Sequence, residues 1–241
     1  MYWATGEYDF ITADLKENGV LRITLDDQKR RNALSEKMLL ALNKIFSAAN
    51  SDTSIRVIVL SSNGPAFSAG HDLKELTSAR SNSDKGQEFF SHIMNMCSTL
   101  MQNITNCSKP VIAEVEGVAT AAGCQLVASC DLAIADNNAK FSTPGVNIGL
   151  FCSTPMVALS RNVSKKNAMR MLLMFICLDS MITSLRGDLR VSPAVHNVME
   201  HMKSQQKQIL EQSVGSAIVS RENNLKNPSI SLDQPVEVKT E

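Results

Sequence analysis

The chain has 241 residues, with 24 Lys and Arg against 24 Asp and Glu, 44% hydrophobic and 20% charged. At roughly 100 to 200 residues per domain this is one large domain with at most an appendage, and the apolar content supports a buried core. The charge balance excludes the broad cationic surface that nonspecific nucleic-acid or anionic-membrane binding requires, so any anion site is local.

Residues 1–17 hold Glu7, Asp9, Asp14 and Glu17 against Lys16, a pattern of neither a signal peptide nor an Arg-rich presequence. Short strand-like runs follow at 10–15 and 20–25. Asn18 and Gly19 lie between them, a strong hairpin signal. Ser35 reads as an N-cap for a helix whose Met38, Leu39, Leu42, Ile45, Phe46 and Ala49 recur at helical spacing. The nearly continuous apolar run 55–60 predicts a strand buried on both faces, and a loop is expected over 61–72. A second amphipathic helix is predicted over 87–104, stopped by Pro110. A strand at 111–115, a turn at Gly117, an Ala-rich helix over 120–129 and a strand at 131–135 complete an α/β alternation. Behind Pro193 a partial apolar stripe predicts one more helix. Residues 221–241, with Pro228 and Pro235 among polar residues and no aromatic, read as a disordered tail. The longest apolar stretch, residues 171–178, is far short of the ~20 needed to span a bilayer, so no transmembrane helix is expected.

The six cysteines, at 97, 107, 124, 130, 152 and 177, form no C-x-x-C pair. Reduced thiols are expected, with neither a zinc site nor a disulfide framework. Two loops concentrate the chemistry, Ala66-Phe-Ser-Ala-Gly-His-Asp-Leu-Lys-Glu-Leu76 and Glu116-Gly-Val-Ala-Thr-Ala-Ala-Gly-Cys-Gln-Leu126. Each places glycine and small residues between a strand and a helix. N–H groups left free at a helix start carry partial positive charge, and two of them aimed at one point form an oxyanion hole. No G-x-S-x-G elbow accompanies the Ser and Cys residues, which disfavours a hydrolase of that type.

These loops stand in order and spacing with Arg31-Asn-Ala-Leu34, Lys109-Pro-Val-Ile112 and Cys130-Asp131, and over roughly residues 10–171 the chain resembles the crotonase, or enoyl-CoA hydratase/isomerase, superfamily. The resemblance implies an α/β fold, a crotonase-like ββα spiral core over residues 8–171. A divergent, partly helical segment (172–220) and the tail (221–241) would follow. It also implies an acyl-CoA ligand of fatty-acid metabolism and, in the family, a homotrimer and a mitochondrial setting. A cytoplasmic one is expected instead if the start of the chain is genuine. No metal and no separate cofactor are implied, CoA entering as part of the thioester.

By position, the thioester oxygen would lie between the backbone N–H groups of His71 and Ala122, and Arg31, Ala33, Asp72 and Lys74 would contact CoA. Lys29, Arg30 and Arg31 cluster cations suited to phosphates. The two glutamates by which hydratases of the family activate water and protonate carbon fall at Gln125 and Gly145, neither of which exchanges a proton near neutral pH. Cys152, Ser153 and Thr154 are expected to line the pocket. After Met171 the family's Thr-Gly turn is not met by residues 175–180, which puts the closed pocket and the trimer in doubt. The expected function is acyl-CoA binding with weak or absent hydratase activity. The alternative is a non-enzymatic interaction protein that has lost the ligand.

Overall fold

The computed structural model describes residues 9–174 and the short strand at 178 and 179. The helix expected behind Pro193, the tail over 221–241 and Cys177 lie outside the described residues. Strands β1 (Ile11–Leu15) and β2 (Val20–Leu25) form the expected antiparallel hairpin, Ile11 opposite Leu25 and Leu15 opposite Leu21. Gly19 takes φ +83° in the turn, a conformation that costs glycine little. On β2, Leu21, Ile23 and Leu25 are sealed, while Arg22 and Thr24 keep partial access to solvent, the two-residue alternation of a strand with one face on the core.

Beyond the hairpin a unit repeats: a strand, a second short strand, then helix. The first strands, β3 (Val57–Ser62), β5 (Val111–Val115) and β7 (Leu132–Ala135), extend the hairpin into a five-stranded sheet ordered β1-β2-β3-β5-β7, parallel from β2 onward. The short strands β4 (Ala66–Ser68), β6 (Val118–Thr120) and β8 (Lys140–Ser142) build a second, parallel sheet, closed by antiparallel β9 (Leu178–Asp179). Parallel neighbours cannot be joined by a tight turn, so each unit returns through a long connection.

Those connections are α2 (Leu73–Ala79) and α3 (Gln87–Thr105), then α4 (Ala122–Ser129), then a 3-10 turn (Pro144–Ile148) with α5 (Ser153–Asn162) and α6 (Lys165–Met174). The expected spiral of strand, strand and helix is present. Helix α6 runs through residue 171, where the sequence reading ended the core, and Met171 is sealed beside Cys124 and Leu159.

Helix α1 (Glu36–Ser51) starts at Ser35, whose Oγ accepts the Met38 N–H at 3.3 Å. The strand expected at 55–60 begins two residues later. Ile55 and Arg56 donate their N–H groups back to Asp52 and Gly19, forming a turn first. The loop expected over 61–72 contains β4, and the Ala-rich helix expected from Thr120 starts at Ala122, after β6. All four residues 57–60 of β3 are fully buried, consistent with a strand covered on both faces.

One side chain joins the connections. Asn32 is fully buried with φ +51°, a conformation Asn tolerates better than most residues. Its Oδ1 accepts the Asp27 N–H (2.8 Å), while Nδ2 donates to the carbonyls of Asn63 (2.9 Å) and Ala66 (2.8 Å). Its own carbonyl accepts the Ser68 hydroxyl (2.8 Å). Replacing Asn32 by Ala strands the Asp27 N–H and the carbonyls of Asn63 and Ala66, and puts at positive φ a residue that tolerates it less well than Asn. A loss of about 3 kcal/mol is expected from two or three orphaned buried groups, read as a lower midpoint in urea unfolding.

Candidate functional site

The loop between β4 and α2 is zipped to the segment before α1. Ala69 donates to the Arg31 carbonyl (3.0 Å), and Leu34 donates to the Gly70 carbonyl (2.7 Å). Gly70 has φ +82°, and a Cβ there would lie 3.0 Å from the Ala122 nitrogen, the Ala121 Cβ and the Thr120 carbonyl oxygen. The missing side chain thus lets the two glycine-containing loops touch. A Cβ on Gly123 would run into the Ser68 carbonyl, so α4 also begins in backbone contact with β4. Ala121 sits between them at φ 51°, ψ −122°, with its N–H on Ser142 (2.9 Å) and its carbonyl on the Gln125 N–H (3.1 Å). That backbone suits glycine, and an Ala held there stores strain of about 1–3 kcal/mol.

Among the described residues, neither the His71 nor the Ala122 N–H has an acceptor. Both therefore keep a free donor at the meeting of the loops, and Ala122 opens a helix, where backbone donors are unpaired and the dipole is positive. His71 and Gln125 line a cleft of about 960 Å³ walled by α3, α4, α5 and β7, with Met94, Cys97 and Met101 from α3 and Thr154 from α5. Its lining mixes apolar side chains with polar ones, Ser98, Gln102, Ser129, Arg161 and Asn162 among them.

Two buried polar atoms there are unsatisfied, His71 Nδ1 and Gln125 Oε1; among the described residues Ser62 Oγ is the only other of its kind. Gln125 is 8% exposed. Burial pushes the His71 imidazole below its ordinary 6.5, and the Leu34 backbone pulls weakly the other way. His71 is accordingly neutral at physiological pH.

The remaining predicted residues fall elsewhere. Gly145 is buried and does not line the cleft. A Cβ there would sit 2.5 Å from the Leu150 carbonyl oxygen and 2.7 Å from Cys152 Sγ. Cys152 lies in the apolar cluster with Cys124 and Leu159, Ser153 is outside the cleft lining, and Thr154 alone of the three faces it. Arg31, Ala33, Asp72 and Lys74 are also outside the lining. Lys29, Arg30 and Arg31 are exposed in a turn, Lys74 is exposed on α2, and Ala33 is buried. The Asp72 carboxylate caps α2, accepting the N–H groups of Lys74 (2.8 Å) and Glu75 (3.4 Å), and lies 3.6 Å from Arg30. It holds the turn and is not free for a ligand.

Cys97, Cys107, Cys124, Cys130 and Cys152 are free and buried. Burial raises the Cys97 thiol to about 11 and the Cys124 thiol to about 12, so neither is a nucleophile at neutral pH. Among the described residues no helix is long and apolar enough to cross a membrane, and no three His, Cys, Asp or Glu side chains are grouped to hold a metal. Asn32 and the α3 wall went unremarked as site residues in the sequence. The available signals were an Asn able to adopt positive φ beside a basic turn and the Met- and Cys-bearing stripe of α3.

A family model described as enoyl-CoA hydratase/isomerase matches residues 15–219, past the break expected after Met171. Enoyl-CoA hydratase domain-containing protein 3, mitochondrial, of Rattus norvegicus is 47% identical over 162 residues, 67% of this chain and 52% of that protein. The chain spans about half the length of the curated relatives it matches. Among solved structures, an enoyl-CoA hydratase of Mycobacterium smegmatis superposes with a TM-score of 0.71 at 36% identity, covering 92% of this chain and 93% of that one. Human enoyl Coenzyme A hydratase domain-containing protein 3 gives 0.71 at 36%, covering 92% and 86%.

The depressed His71 basicity has a consequence for folding. The unfolded chain binds this proton more readily than the folded one, so His71 contributes a loss of stability as pH falls below about 6.5. Urea unfolding at pH 7.5 and 5.5 should show a smaller acid destabilisation in His71→Asn than in the parent chain.

Proposed function

The chain belongs to the enoyl-CoA hydratase/isomerase family, and we propose that it binds an acyl-CoA thioester, holding the carbonyl oxygen between the N–H groups of His71 and Ala122, with little hydratase activity. The observation that carries this reading is the pair of acceptor-free amides on loops that touch across Gly70. Negative charge grows on a thioester oxygen as an enolate-like state forms, and fixed donors in a low-dielectric cleft stabilise it without reorganising. Removing one such donor typically costs about 100- to 1,000-fold in rate. Backbone donors are indifferent to side-chain identity, so Ala122 serves as well as glycine.

The cations of Lys29, Arg30 and Arg31 are exposed on the turn whose Arg31 carbonyl takes the Ala69 N–H. That turn adjoins the His71 loop, a position suited to the phosphates of CoA. The acyl chain would enter the cleft past Met94, Cys97 and Met101. The mitochondrial relatives named above support the same setting here.

Proton transfer is where this chain departs. The amide of Gln125 neither gives nor takes a proton near neutral pH, and Gly145 offers no side chain and no room for one. Each acid or base normally contributes about 100- to 10,000-fold. Crotonyl-CoA hydration is therefore expected below ~1% of the rate of a relative with both glutamates, measured as loss of enoyl absorbance; a rate within tenfold would overturn the assignment. Butyryl-CoA should nevertheless bind in calorimetric titration, with its carbonyl stretch shifted in difference infrared spectra. His71→Ala keeps the backbone donor and should keep that shift, whereas Ala122→Pro removes a donor and should reduce it in protein shown folded by circular dichroism. Absence of any CoA or acyl-CoA binding would favour the non-enzymatic interaction protein instead.

A further inference from the structure

The zero net charge of the chain hides an uneven distribution. Residues 137–178 contain five Lys and Arg and no Asp or Glu. Four of these cations, Arg161, Lys165, Lys166 and Arg170, stand on α5 and α6, are exposed, and among the described residues make no ion pair. Apolar exposure is concentrated in the same stretch. Of the ten exposed large apolar side chains among the described residues, six lie within 148–173: Ile148, Leu150, Phe151, Val157, Met169 and Leu173. Apolar residues scattered singly over a surface need no explanation, but a concentration of them marks an interaction surface.

Helix α6 orders both kinds of residue on one face. Ala168, Met171 and Leu172 are buried, the last two beside Cys124 and Leu159. The Thr143 hydroxyl donates to the Met171 carbonyl at 2.9 Å, which ties the helix to the start of the 3-10 turn. The outer face carries two adjacent rows at four-residue spacing, Lys165-Met169-Leu173 and Lys166-Arg170. Met169 is 48% and Leu173 53% exposed, so water meets two apolar side chains flanked on both sides by cations. The 3-10 turn packed against α6 contributes Ile148, which is 77% exposed.

A soluble anion answers only the cations, and an apolar partner answers only Met169 and Leu173. The surface of an anionic bilayer answers both. Headgroup phosphates attract lysine and arginine, while apolar side chains enter the boundary between headgroups and acyl chains. We propose that the outer face of α6 is a peripheral docking surface for anionic phospholipid bilayers. Nucleic acid fits this face less well, because a phosphate backbone leaves Met169 and Leu173 in water and α6 has no aromatic residue on which bases could stack. The inference stands apart from the thioester reading, since none of Lys165, Lys166, Met169, Arg170 and Leu173 lines the cleft.

The test is co-sedimentation of the full chain with vesicles of phosphatidylcholine alone or mixed with phosphatidylglycerol. Binding is expected to the mixed vesicles only, weakening as salt rises. The triple variant Lys165→Gln, Lys166→Gln, Arg170→Gln should bind them about a hundredfold more weakly, about fivefold for each cation removed. Met169→Gln combined with Leu173→Gln should lose at least about tenfold while keeping the salt dependence. All five positions are exposed and glutamine is a good helix former, so α6 should survive both sets of changes, as checked by circular dichroism. Failure of the parent chain to pellet with the mixed vesicles overturns the proposal without any variant, as does equal binding to both vesicle types. Loss in the cation variant alone, with a single-stranded oligonucleotide bound as tightly as the mixed vesicles, makes the face a polyanion site and overturns the lipid assignment. An oligomer in sedimentation velocity that Met169→Gln with Leu173→Gln dissociates, together with no vesicle binding, assigns the face to a second copy of the chain and overturns it as well.

Discussion

The buried amide of Asn32 is the constraint from which the geometry of this region follows. It meets the turn at Asp27 and the carbonyls of Asn63 and Ala66, and its own carbonyl holds the Ser68 hydroxyl. The adjacent turn at Asp27 and the distant segment from Asn63 to Ala66 are therefore fixed to a single planar group. An aspartate would lack the two donors, and a leucine would offer neither donor nor acceptor. Because the next links, Ala69 to Arg31 and Leu34 to Gly70, are backbone hydrogen bonds, the placement of His71 is inherited from Asn32 with few intervening torsions.

The second constraint is proximity. Gly70 and Gly123 remove the two β-carbons that would otherwise hold β4 and its loop away from the start of α4. Ala121 absorbs the remaining misfit in its backbone, and the helix behind it is buried on nearly every side, with residues 122–128 all buried. Burial of that extent resists the relaxation that a strained residue would otherwise take. Strain at Ala121 and the free Ala122 N–H are thus two aspects of one tight junction, and preorganisation of this kind is what charge stabilisation in a cleft requires.

Family membership and reaction are separable for a physical reason. The feature shared with the family, the fold, is a backbone feature that many side chains support. Proton transfer depends instead on particular side chains, and the chain has Gln125 in the cleft and a sealed Gly145. On the proposed reading the scaffold retains carbonyl recognition.

By itself the sequence determined the hairpin, the helices α1 and α3, the buried strands β3 and β5, and the two glycine loops. Each is written locally, in an Asn-Gly turn, in Ser35 before an apolar stripe, or in a continuous run of branched residues. Residues Gln125 and Gly145 were equally plain, since their chemistry is that of the residue type. Tertiary structure alone decided the second sheet, because β4, β6 and β8 have three residues each, too few to show a period, and exist only through pairing with one another. It alone engaged Asp72 as a helix cap beside Arg30, sealed Gly145 behind Leu150 and Cys152, and left Oε1 of Gln125 without a partner. Those outcomes depend on atoms far away in the chain, and a linear pattern records spacing along the backbone but not which distant groups arrive within hydrogen-bonding or van der Waals reach.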